Sequence, residues 1–130
     1  MSQRTTLRPV VLPTIDMSQS STNSSATVLQ SMTLISYEVS WSGSTPTGTL
    51  ALQISNSYSL EPNGTVNATG TWTTVPMDVN GAYATSIAIS GNTGNGIIDV
   101  ALIAGYASRL VYTRSGGSGT MTITVVGKVS

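Results

Sequence analysis

The ionisable side chains are few enough to weigh one by one. Five carboxylates (Asp16, Glu38, Glu61, Asp78, Asp99) and five cations (Arg4, Arg8, Arg109, Arg114, Lys128) are spread over 130 residues, with no histidine and no cysteine. That composition removes the commonest general base and metal ligand, together with thiolate nucleophiles and disulfides. Glycoside hydrolysis needs two carboxylates about 5–10 Å apart across a cleft, and Glu38 and Asp99, both in strand-like segments, are the pair that could converge. Each also has a simpler role: Glu38 faces solvent from an open sheet face, and Asp99 pairs with Arg109 on the following strand. Asp78-Val-Asn80 offers a carboxylate and an amide, short of the clustered oxygens that a divalent cation takes. Ser115-Gly-Gly-Ser-Gly119 is followed by neither Lys-Ser/Thr nor a helix, so it reads as a turn and not a phosphate loop. Serine near Lys128 is too common in this chain to define a Ser–Lys dyad. The expectation is a protein that is not an enzyme, with no catalytic residue, no cofactor and no metal site.

Binding chemistry is better represented. Trp72, in a Thr-Trp-Thr context, and Tyr58, in a long polar connection, are of the type that stacks on sugar rings from the surface of a β-sandwich. They are the candidate glycan-binding residues, with the core as the alternative place for Trp72. Trp41 ends an alternating apolar run in a chain that has no Phe, and the expectation for it is core. Near the start, Val10, Val11, Leu12 and Ile15 lie around Pro9 and Pro13. Two missing backbone donors suit an edge or an extended docking peptide better than a central strand. These four are candidate subunit-interface residues, the alternative being a segment that folds back along its own sheet. Arg114, at a predicted hairpin tip, is a fifth candidate contact. Asn23, Asn63 and Asn67 match the glycosylation pattern but read as turn and loop chemistry.

These residues need strands to hold them. The last quarter alternates on both sides of a glycine–serine break: Leu110 and Tyr112 before it, Met121, Ile123 and Val125 after it. That pattern predicts a C-terminal hairpin with its turn at Ser115–Gly119. Tyr37, Val39 and Trp41 alternate toward a break at Ser42–Gly48, and Leu50, Leu52 and Ile54 follow it. Shorter strands are expected around Val28, Thr71–Val75, Ala84–Ser90 and Ile97–Ile103, separated by Gly/Asn/Pro-rich turns. Asn56–Gly70 is a long polar connection with Pro62-Asn-Gly at its tip. About eight short strands and no amphipathic helix give an all-β fold: a single antiparallel β-sandwich, jelly-roll-like. The immunoglobulin alternative lacks its Cys…Trp…Cys marker. Residues 1–25 are expected to be an extended N-terminal arm with a polar linker, and residues 26–130 the β-sandwich domain.

Charged residues are only 8% of the chain and the formal net charge is zero. This gives no electrostatic footprint for nucleic acid or an anionic membrane. A near-neutral surface favours contact between copies, which suits a homo-oligomer or a many-copy assembly. The opening residues have no apolar signal-peptide core and no later run approaches a membrane span, so synthesis in a cytosol without general secretion is expected.

The order of several pieces resembles a known group. Trp41-Ser-Gly leads to Thr49-Leu-Ala-Leu-Gln-Ile-Ser-Asn56, then Thr71-Trp-Thr-Thr-Val-Pro76, and then Arg109-Leu-Val-Tyr-Thr-Arg-Ser-Gly-Gly-Ser-Gly-Thr-Met121. Over residues 34–128 this resembles small virion structural proteins of bacteriophages, of head decoration, vertex or fibre type. The resemblance implies a capsid-associated (decoration/cement or vertex) component made in the bacterial host cytoplasm and located in the virion, with other virion proteins as partners. It acts by assembly through the arm and the sandwich surface and carries no catalytic residues. The alternative is a glycan-binding module of a phage tail, baseplate or fibre, using Trp72 and Tyr58.

Overall fold

The computed structural model describes residues 6–28, 34–79, 82–101 and 106–128. In chain order its strands are β1 (Thr6–Val11), β2 (Ile15–Asp16), β3 (Ser21–Asn23), β4 (Thr27–Val28), β5 (Leu34–Ser55), β6 (Tyr58–Leu60) and β7 (Val66–Thr69). They continue as β8 (Thr73–Val75), β9 (Met77–Val79), β10 (Ala82–Ala84), β11 (Ile87–Ile89), β12 (Thr93–Ala101) and β13 (Ala107–Lys128). Among the described residues there is no helix, and the strand pairs are antiparallel.

Two strands of 22 residues each, β5 and β13, carry the architecture. They pair with one another along their whole length, from Ala107 opposite Ser55 to Lys128 opposite Leu34. A straight strand of that length would reach about 70 Å, several times the radius of gyration of roughly 14 Å for a chain this size. It must bend, and the burial pattern marks where. In β5, Ile35, Tyr37 and Val39 are buried before the bend and Leu50 and Leu52 after it; in β13, Leu110 and Tyr112 precede the bend and Met121, Ile123 and Val125 follow it. Inward positions therefore change parity in both strands. This requires the register shifts that the ladder shows between Arg114 and Gly116 and between Gly116 and Ser118.

The two halves of the bent ladder close on one core, which also takes Leu12, Ile15, Met17, Met77, Ile89 and Ile98. The Tyr37 hydroxyl and the Ser108 hydroxyl hydrogen-bond at 2.5 Å inside it, one from each half. Burial raises the Tyr37 pKa, and the bond to Ser108 opposes that rise. The result is an antiparallel β-sandwich-like fold made by folding one ladder over. β12, β9 and β10 extend the first half of β5, with Thr93 opposite Ser42 and Ala101 opposite Leu34. β8 and β11 take the same edge of its second half.

The corner has its own chemistry. Gly117 has φ +71°, and a Cβ there would collide with the Thr45 carbonyl oxygen. Thr45 itself has φ +46°, an uncommon conformation for a β-branched residue. Its N–H donates to Asn92 Oδ1 at 2.9 Å, and the Gly43 N–H donates to the Asn92 carbonyl at 2.9 Å. Asn92, from the turn between β11 and β12, thus clamps the bend from outside.

Three expectations are corrected here. The C-terminal hairpin is not one: the two halves of β13 pair with β5 and not with each other, and Ser115–Gly119 is a bend within a continuous ladder. Ser42–Gly48 is the matching bend in β5 and not a strand break. The N-terminal segment, from Thr6 onward, is not a separate arm and linker but the alternative named for it, a segment folded back along its own sheet. It lies along the other edge of β13 from Thr6 opposite Lys128 to Val28 opposite Ala107. The polar run 18–25 fooled composition because an outer strand needs only backbone bonds. Ser24 shows the device: its N–H donates to the Leu110 carbonyl at 2.8 Å and its hydroxyl accepts from the Leu110 N–H at 2.9 Å. Residues 1–5 and Leu29 lie outside the described residues.

Candidate functional site

Outward positions of the second half of the ladder build the cluster most suited to binding. Inward Leu110 and Leu52 turn their neighbours Arg109 and Gln53 to the outer face, directly opposite one another. Arg109 Nε donates to Gln53 Oε1 at 3.0 Å, and Thr74 on β8 is Gln53's partner on the far side. The guanidinium carbon of Arg109 lies 4.3 Å from the centroid of the Trp72 ring, within the range for cation–π attraction. Trp72 is fixed by its indole N–H, which donates to the Thr69 carbonyl at 2.8 Å. Tyr58 meets it with ring centroids 5.6 Å apart and planes inclined at 55°.

The connection between β5 and β8 makes this possible. It folds as the β6–β7 hairpin, with Gly64 at φ +89° in the tip. The hairpin lays Tyr58 and Thr69 over the sheet. At its base, Ser55 Oγ accepts from the Tyr58 N–H at 3.1 Å, and the Thr71 N–H donates to Ser57 Oγ at 2.7 Å. Tyr58, Trp72, Arg109 and Thr69 line a cavity of about 320 Å³ with Ser24 and Ser25. Partial burial lowers the pKa of Arg109.

Sequence reasoning thus named two members, Tyr58 and Trp72, and the structure brings them together. It missed Arg109, for which the sequence suggests Asp99 as partner. That pairing is corrected: β12 and β13 lie on opposite sides of β5, so Asp99 faces Ser36 and Asp78 while Arg109 faces Gln53. The parity of Arg109 beside inward Leu110 was the available signal for its direction. Nothing local pointed to Trp72 as its neighbour.

The first half of the ladder has a different outer face. Glu38 lies opposite Ile97, and Asp99, two residues along β12, lies opposite both Ser36 and Asp78. Glu38 and Asp99 therefore share one face, but both are exposed on it. The depression beside them, about 390 Å³ lined by Glu38, Ser40, Asn95, Gly96 and Ile97, holds a single carboxylate. Among the described residues no three His, Cys, Asp or Glu side chains are grouped to hold a metal ion.

The expected interface residues separate into two kinds. Ile15 is 1% exposed and Leu12 packs in the same core, so both side chains belong to the protein's own fold. Val10 and Val11 are exposed on β1, an edge strand of the sheet. Pro9 sits at the register irregularity between Leu7 and Val10, where a missing donor does least harm. Arg114 is exposed at the corner, with its Nε donating to the Gly117 carbonyl at 2.7 Å. Trp41 is partly buried against the core, its ring lying over Gly94 on β12.

No protein-family model matches the sequence, and no curated relative matches it either. Among solved structures, the fold is similar to that of the SPBc2 prophage-derived protein YomS. The match has a TM-score of 0.53 at 14% identity and covers 92% of this chain and 96% of that one. At this identity the likeness is one of fold. No helix among the described residues is long and apolar enough to cross a membrane.

Proposed function

We propose that this chain is a bacteriophage virion structural protein, a capsid-associated decoration, cement or vertex component that works by assembly and not by catalysis. The observation that carries the reading is the end-to-end fold similarity to a prophage-derived protein, covering 92% of this chain. It accords with the order of sequence pieces that resembles small virion proteins. Zero net charge lowers the repulsion between copies, and β1 offers an edge that a neighbour's strand can extend by backbone hydrogen bonds. Val10 and Val11 at that edge and Arg114 at the corner are the proposed contacts with copies of this chain or with other virion proteins. Synthesis takes place in the host cytoplasm and the mature location is the virion.

Mass spectrometry of gradient-purified particles from the chain's natural source tests this directly. The protein should co-sediment with the particles at many copies each, and its absence from them would end the proposal. Val11→Asp should change the stability of the isolated protein by no more than about 0.5 kcal/mol, as for surface substitutions generally, and still reduce incorporation.

A second reading, a glycan-binding module of a tail, baseplate or fibre, is favoured by one observation: Trp72 and Tyr58 meet in a cavity with hydroxyls at its rim. Trp72→Ala binding a glycan array as wild type does would remove it.

A further inference from the structure

The cluster on the second half of the ladder contains a cation that the fold does not neutralise. Arg109 is partly desolvated, and removing a charge from water without a partner is unfavourable. Its Nε is taken by Gln53, a neutral acceptor, and its planar face by Trp72. The carboxylates Asp99 and Asp78 stand beyond β5, on the other side of the ladder from β13. Among the described residues no carboxylate pairs with Arg109, and no acceptor holds its two Nη groups. Those groups are the fork that recognises a carboxylate with two parallel hydrogen bonds. Gln53 and Trp72 fix the guanidinium before any ligand arrives, so little ordering cost remains for binding.

We propose that this cavity binds an acidic saccharide: a sugar ring lies against Tyr58 and Trp72 while its carboxylate is held by Arg109. The ring's C–H face suits the aromatic pair, and the hydroxyls of Ser25 and Thr69 at the rim suit the sugar's own hydroxyls. The volume, about 320 Å³, stands at the lower end of ligand cavities, roughly 300–1,000 Å³, which seats one or two rings with the rest of a saccharide in solvent. The proposal rests on the glycan-binding reading above and adds charge selectivity and Arg109 to it; it is independent of the assembly reading.

The test uses the full chain and two matched pairs of probes, trigalacturonate and sialyllactose, each against its own methyl ester. Titrations are followed by calorimetry and by the Trp72 indole N–H resonance. At least one acid should bind about tenfold more tightly than its neutral counterpart, as expected for one charge-assisted contact, and the preference should shrink with added salt. Arg109→Gln should bring acid and neutral probe to the same affinity, and Tyr58→Ala should weaken both alike. Equal binding of acid and neutral probes by the wild type would overturn the charge inference and leave the aromatic platform standing. Binding of neither pair would overturn both. An acid preference that survives in Arg109→Gln, shown to be folded by its amide spectrum, would also overturn the role of Arg109.

Discussion

The two outer faces of this molecule are built from the same pair of strands, and they differ in nearly everything else. Beside the first half of the β5–β13 ladder the outward side chains are Glu38 and Ser40 on β5 and Ile97 and Asp99 on β12, all exposed, with half-buried Asp78 alongside: an acidic face. On the second half they are Arg109 and Gln53, roofed by Trp72 and the β6–β7 hairpin. One bend, at Ser42–Gly48 and Ser115–Gly119, separates them. The comparison teaches that a face becomes a site when something is laid over it. Both halves have polar outward positions and an open depression beside them, but only the second has aromatic side chains, Tyr58 and Trp72, brought against its cation by the connection that carries the hairpin.

The two faces share one core, so damage there should cost both. Tyr37→Ala removes a large buried side chain and the bond to Ser108; it should destabilise by about 3–5 kcal/mol, read by urea unfolding. Spectral probes on the two faces should be lost together; separate transitions would show two independent halves. Gly117→Ala attacks the bend. Its φ of +71° and the collision of a Cβ with the Thr45 carbonyl predict a loss of about 1–3 kcal/mol. An unchanged midpoint would show that the corner relaxes freely.

Smaller effects separate the faces from the fold. Trp72→Ala should lower stability by about 1 kcal/mol or less through the lost Arg109 contact, and Glu38→Gln by less than about 0.5 kcal/mol. A larger cost from Glu38→Gln would give the acidic face a structural role. The smallest expected effect concerns Asp16 on β2. Hydrogen bonds from the Ser18 hydroxyl, the Ser18 N–H and Gln19 hold its carboxyl below the ordinary carboxylate pKa. A lowered folded-state pKa stabilises above the unfolded value and loses that stabilisation as the pH falls through the folded one. Wild type should therefore melt slightly above Asp16→Asn near neutral pH, the difference closing below about pH 4. A gap that widens on acidification would contradict the assignment.

The β class and most inward positions were legible, because Tyr37, Val39, Leu50, Leu52, Leu110 and Tyr112 alternate as half-buried strands must. The topology was not. A Gly/Ser/Thr/Pro run looks the same in a reverse turn as in a bend where both strands stay paired, and only a third strand decides between them. The short segment around Leu12, Ile15 and Met17 shows the same limit: its apolar residues sit at no single period, since the chain rounds the corner there. In the site, Tyr58 and Trp72 were legible as residue types with a use. Arg109's partner was not, because it depends on which strands flank β5.

The most direct measurement is a cryo-electron microscopy reconstruction of particles from the natural source, at a resolution that traces this sandwich. The account predicts the chain in the particle, with the β1 edge at Val10 and Val11 against a neighbouring subunit and the Trp72–Arg109 cavity facing solvent. Particles without the chain would contradict its central claim; particles holding it by the Trp72 face, with the β1 edge free, would contradict the division between the two surfaces.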